Sequence, residues 1–257
     1  MNIEEKVLQL KQDFNDVYKA GQESGGGGSY EQGYEDGKNS VVRLENYVKN
    51  MQFHNLNDFG TEIVELVFEK VTSLAQMFSN VKENGNEDYW GKNTTVKHLI
   101  IRNKAIVTNI YRMFYNDNSS TDTTLNRITF DFDLSTEYSV NASNLFRNMS
   151  GLEIIDGKPL NVSKCTSFSQ SFNGVANLRE IRFVPETINV DINFSVCKKL
   201  SNDSKQSIFD GLAPVDTAQT LTLHNDVKIL QSQVDSANAK GWTVAGGTVV
   251  SEEEYNA

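Results

Sequence analysis

One phrase ending in phenylalanine recurs along the chain, and it limits the possible folds more than any single motif does. "VTSLAQMF" (Val71 to Phe78) is echoed by "VTNIYRMF" (Val107 to Phe114) and "CTSFSQSF" (Cys165 to Phe172). Two further copies, "SVNASNLF" and "TINVDINF", end at Phe146 and Phe194. Five residues before each Phe stand Ser73, Asn109, Asn141, Ser167 and Asn189, always a small hydrogen-bonding side chain. The next residue is apolar each time: Leu74, Ile110, Ala142, Phe168 and Val190. The preceding one is β-branched each time: Thr72, Thr108, Val140, Thr166 and Ile188. Such self-similarity marks a fold built by stacking copies of one unit. Within each unit, an extended piece is expected to enter a turn held by the Ser or Asn side chain, and the Phe then turns inward.

A second phrase, L-x-x-I-x-F, accompanies the first. It reads "LNRITF" (Leu125 to Phe130), "LREIRF" (Leu178 to Phe183) and "IVELVF" (Ile63 to Phe68); "VKHLII" and the shortened "LEII" are variants. Apolar residues three and then two apart predict a strand entered from a turn, with alternate side chains on one core. After the last three Phe residues, Leu152, Leu178 and Leu200 each follow six places later, and the final link is F-x-x-C-x-x-L through Cys197.

Together these phrases resemble the BspA-like leucine-rich repeats of phage tail proteins and bacterial surface adhesins, over roughly residues 60 to 200. The match is to a repeat type. It departs from the consensus in that Met149 and Val175 replace cysteine in the two preceding links, and the steps between key Phe residues shrink through 36, 32, 26 and 22. The resemblance implies an α+β fold: an irregular leucine-rich-repeat (BspA-like) solenoid, with insertions, devoted to binding and adhesion rather than catalysis.

The flanks read differently. Ile3, Val7, Leu10, Phe14 and Val17 step by four and three as a heptad seam that Gly21 closes. Past the flexible linker at Gly25 to Gly28, a second seam runs through Tyr34, Val41, Leu44 and Val48. Residues 1–52 are therefore expected to be a helical, coiled-coil attachment region, 53–200 the repeat solenoid, and 201–257 a C-terminal αβ cap and tail. Each helix is marginal alone. The seams either pack on the rest of the chain or pair between chains, most naturally as a homotrimer, or dock into a neighbouring virion protein. In the cap, Ser201 is an N-cap, "TLTL" and "WTV" are strands, residues 225–241 are a helix, and "SEEEYNA" is a loose tail.

A net charge of −10 argues against general nucleic-acid binding. No apolar run approaches a membrane span, and the acidic start "MNIEEK" is not a signal peptide. Cys165 and Cys197 are expected to be buried free thiols, with a disulfide as the minority reading. His54, His98 and His224 are not spaced as metal ligands, and no nucleophile phrase is present. "DNSSTD" lacks the glycine and bidentate glutamate of a calcium loop. No catalytic residue, cofactor or metal is assigned.

Two places could hold a ligand. The insertion after Phe78 carries Tyr89 and Trp90, suited to sugars or protein pockets unless Trp90 folds back onto the first copies. The outward places of the strand phrases hold Lys97, Arg127, Arg179 and Arg182, a cationic stripe apt for anionic surface glycans; the competing reading is a sheet kept soluble by its charges. The expectation is a non-enzymatic virion protein of a phage tail or baseplate that binds a host-surface glycan or protein and is extracellular after release. The alternatives are a bacterial surface adhesin and a purely structural virion component.

Overall fold

The computed structural model describes residues 30–35, 39–44, 62–68, 71–79, 96–116 and 124–256. Its largest sheet has six strands in the order β1-β2-β3-β4-β5-β7. These are β1 (Tyr30–Glu35), β2 (Asn39–Leu44), β3 (Ile63–Phe68), β4 (His98–Asn103), β5 (Arg127–Asp131) and β7 (Ile154–Gly157). All neighbours run parallel except the β1–β2 hairpin. Register stacks Val64, Leu99, Ile128 and Ile155 in one inward column and Leu66, Ile101 and Phe130 in the next, all buried. "IVELVF" therefore sits two residues out of the expected alignment: Val64, not Leu66, lies opposite Leu99. A slip of two keeps the same face inward, so the strand pattern hides it.

Opposite this sheet the Phe-terminated phrases stack. Rings of Phe78 and Phe114 lie 5.0 Å apart, Phe114 and Phe146 5.7 Å, Phe146 and Phe172 5.8 Å, Phe172 and Phe194 4.4 Å. All five are essentially fully buried. The Ser and Asn side chains hold their turns as expected in the central copies. Asn109 Oδ1 accepts the Tyr111 amide at 3.0 Å, Asn141 Oδ1 that of Ser143 at 2.9 Å, and Ser167 Oγ that of Ser169 at 3.1 Å. Two residues before Phe the backbone is left-handed in the first four copies, at Gln76, Arg112, Asn144 and Gln170 (φ 51 to 58). That conformation costs a non-glycine residue about 1–2 kcal/mol. It turns the chain so that the copies bond to one another. Gln76 N–H donates to Tyr111 O, Phe78 to Met113, Phe114 to Leu145, Asn144 to Ser169 and Phe146 to Ser171, at 2.8–3.0 Å.

The fifth copy breaks this pattern. Asn189 holds no turn; its Nδ2 donates instead to Ser163 O. "DINF" runs on as strand β9 (Ile192–Phe194), which joins a three-stranded sheet in the order β12-β10-β9. Here β10 is Gln219–Leu223 and β12 is Trp242–Ala245. Smaller pairs are β6 (Val140–Asn141) with β8 (Cys165–Ser167), and β11 (Lys228–Leu230) with β13 (Thr248–Val250). Three helices follow residue 200: α1 (Asn202–Gly211), α2 (Gln231–Ala239) and α3 (Glu252–Asn256).

The expected α+β leucine-rich-repeat solenoid with heptad helices and an αβ cap is thus corrected. The described residues form mostly parallel-strand sheets with few helices, and no solenoid is found. The large sheet stops at β7, because the shorter later copies meet it only through isolated bridges such as Ile154 with Glu180. The second heptad seam is also overturned. Tyr34 lies in β1 and Val41 and Leu44 in β2, not on a helix. Asp36–Gly37, a strong hairpin signal, and the β-branched pair at Val41–Val42 outweigh the apolar spacing. Ile3, Val7, Leu10, Phe14, Val17, Val48 and the linker lie outside the described residues.

Near the C-terminus Ser201 caps α1, its Oγ accepting from Ser204 N–H at 3.2 Å. The expected single helix over 225–241 divides into β11 and α2. The tail is not loose: Tyr255 is buried, its ring lies 4.0 Å from Lys205 Nζ, and Asn202 Nδ2 donates to its carbonyl at 2.9 Å. Both cysteines are free and buried, and burial pushes each thiol up to about 12. Cys197 Sγ donates to Val175 O at 3.3 Å, giving the cysteine of F-x-x-C a partner in the preceding copy.

Candidate functional site

Two surfaces flank the core, one on the outward side of the large sheet and one along the stacked turns. On the sheet side register places opposite charges beside each other. Lys97 Nζ meets Glu62 at 2.6 Å, Arg127 bonds Asp156, Arg102 bonds Glu65 and Asp131, Lys158 meets Asp133 at 3.0 Å, and Arg179 meets Glu153 at 3.4 Å. Of the expected cationic stripe, Arg182 alone has no ion pair among the described residues. Exposed pairs contribute only about 0–1 kcal/mol each, but they cancel the field that would gather a polyanion. Tyr89 and Trp90 lie outside the described residues.

The sheet side also brings together a His–Thr–Asp chain. His98 Nε2 is 2.8 Å from Thr129 Oγ1, which donates to Asp156, itself held by Arg127. Burial opposes ionisation of Asp156, but the bonds from Thr129 and Arg127 together outweigh it and hold the carboxyl below its ordinary range. Burial, with the Arg127 charge, lowers His98, so its imidazole is neutral near pH 7. The single hydroxyl proton of Thr129 is committed to Asp156. His98 meets a lone pair with an N–H and cannot withdraw that proton, so the chain is ordered the wrong way for a base and nucleophile. Among the described residues no group of His, Cys, Asp and Glu side chains is placed to hold a metal. Nor is any helix there long and apolar enough to cross a membrane.

Along the turns the chemistry is different. Arg112 lies 5.1 Å from the Tyr111 ring centre and 4.8 Å from that of Tyr115; Arg147 lies 5.5 Å from Tyr115. Among the described residues neither guanidinium has a carboxylate partner, and the Nε of each is buried without an acceptor. The stacking of copies aligns them: Asn116 N–H donates to Arg147 O and Asn148 N–H to Asn173 O. One strip therefore runs from Arg112 and Tyr115 through Arg147 to Asn173 and Gln170. It ends in an open groove of about 560 Å³ between the fourth turn and β9–β10. A smaller hollow of about 170 Å³, sharing Gln170 and Asn193, adjoins it.

The sequence carries a trace of this groove. "DINF" alternates outward and inward residues as a strand does, where the other copies hold a turn. Because Phe194 arrives on a strand, its backbone does not stack on the fourth copy as the earlier copies stack, and a gap opens. The Arg–Tyr strip left no comparable signal, since Arg112 and Arg147 occupy different places in their copies.

Compared with protein families, with curated proteins and with solved structures, the chain matches none.

Proposed function

We propose that this chain is a non-enzymatic binding protein of a phage virion, in the tail or baseplate, that attaches to a bacterial surface through its turn side. The repeat phrases and their resemblance support the virion setting. Arg112 and Arg147 on tyrosine rings, with no carboxylate partner among the described residues, lie beside a groove and carry the choice of surface; the cations of the sheet side are mostly neutralised by their neighbours. A guanidinium stacked over an aromatic ring is a pre-organised cationic platform. Other virion proteins or further copies of the chain are partners at the amino-terminal end.

The test is retention of fluorescent full-length protein on a panel of bacterial cells, intact and stripped of surface polysaccharide. Saturable retention on some intact cells is expected, with a loss of roughly tenfold or more in affinity for Arg112→Ser with Arg147→Ser, about 1.4 kcal/mol or more. Arg127→Ser with Arg179→Ser should bind like the parent, with thermal melts as the folding control. No retention on any strain, or loss in the second pair but not the first, overturns the proposal.

A further inference from the structure

The groove at the end of the turn ladder has an unusual pair of walls. In the first three copies, the amides at alternate turn positions, Ile110 excepted, donate to carbonyls of the next copy. The equivalent amides of the fourth copy belong to Phe168, Gln170 and Phe172. Among the described residues no acceptor reaches them. Their carbonyls, by contrast, are all occupied within the turn: Ser171 N–H donates to Phe168 O at 3.0 Å, Asn173 to Gln170 O at 3.2 Å, and Val175 to Phe172 O at 3.2 Å. The open edge is therefore a rail of hydrogen-bond donors without matching acceptors.

Side chains complete the lining. Thr166, Ser167, Ser169 and Gln170 stand on the near wall, with Asn193, Gln219 and Thr222 among those facing them. Hydroxyl and amide groups both give and take hydrogen bonds. No lysine or arginine lines the groove, and its carboxylate, Asp191, already accepts from Thr220 N–H at 2.6 Å. Its volume falls within the range of about 300 to 1,000 Å³ usual for small-molecule sites.

We infer that this groove binds a segment of neutral saccharide. A peptide strand added to an edge needs both donors and acceptors from that edge, and this one supplies donors alone. An anion would meet no lysine or arginine in the lining, and the Asp191 carboxylate would repel it. A sugar chain suits the rail. Ring and hydroxyl oxygens accept from the amides of Phe168 and Gln170 in the groove and from that of Phe172 in the adjoining hollow, and sugar hydroxyls donate to Ser169 and the amide oxygens opposite. This deepens the proposed attachment function and rests on it for its biological sense, but not for its chemistry.

The test uses full-length protein on an array of neutral tetrasaccharides of hexose and N-acetylhexosamine, acidic tetrasaccharides, an unstructured decapeptide, and inorganic phosphate as competitor. Binding of a neutral saccharide is expected, little changed by high salt or phosphate. Ser169→Trp should fill the groove from an exposed position and reduce that affinity at least tenfold at an unchanged melting temperature, with Gln170→Ala as the second variant should Ser169→Trp fail to fold. Amide exchange at Phe168, Gln170 and Phe172 should slow when the saccharide is bound. Binding confined to acidic saccharides and erased by salt or phosphate overturns the inference, as does preference for the peptide. Retention of both variants and parent on cells, with no neutral saccharide bound, sinks the inference alone. Saccharide binding without retention on any cell sinks the attachment function alone.

Discussion

Phe114→Ala is expected to destabilise the protein by about 3 to 5 kcal/mol, the usual range for emptying a buried aromatic site. Phe114 touches Phe78 and Phe146 in the ring column and Phe130 of the large sheet, at 5.0, 5.7 and 6.2 Å between centres. It thus ties the turn ladder to β5 as well as to its own neighbours. The surrounding rings are themselves held by bonded backbone, so the site can collapse only partly. Phe114→Leu keeps much of the volume and should cost less than half as much. Tyr138→Ala, on a side chain 66% exposed, should stay within about 0.5 kcal/mol of the parent. Urea unfolding of the three variants checks this. A loss below about 1 kcal/mol for Phe114→Ala would mean that the ring column does not hold the copies together.

Gly157→Ala is expected to cost about 2 to 4 kcal/mol, a large effect for one methyl group. Gly157 ends β7 at φ +89, where a side chain is strained by about 1–2 kcal/mol. An added Cβ would also lie 2.2 Å from Phe130 O and 3.0 Å from Phe130 N, both backbone atoms fixed by sheet pairing. The clash can be relieved only by separating β7 from β5, which also strains the bond from Lys158 N–H to Phe130 O at 2.8 Å. An unfolding midpoint equal to the parent's would show that β7 does not close against β5 in this way.

What the sequence made legible was the inward side of each copy. Leu, Ile and Phe at fixed spacing must be buried wherever the copies stack, and Leu99, Ile128, Ile181 and the five column rings all are. Outward and backbone features were not legible, for separate reasons. The left-handed residues two places before the column rings are Gln76, Arg112, Asn144 and Gln170, not one of them glycine, so tertiary bonding imposes a conformation that local preference does not announce. The segment of β1 and β2 fits both a four-three apolar spacing and strand pairing, and the pairing is what forms. Lys97 and Arg127 read as part of a stripe because their carboxylate partners, Glu62 and Asp156, stand 35 and 29 residues away and become neighbours only once register is set. The groove exists because one copy of five exchanges its turn for a strand.

Backbone amide exchange in the full-length protein tests the stacked-turn arrangement and its open end in one measurement. The amides of Phe78, Phe114 and Phe146, each bonded to the next copy, should exchange at least about a hundredfold more slowly than those of Phe168, Gln170 and Phe172. Equal protection of all six would contradict the arrangement, because the fourth turn would then be bonded to the fifth copy and no donor rail would face the groove. Fast exchange at all six would contradict it too, since the ladder between copies would be absent.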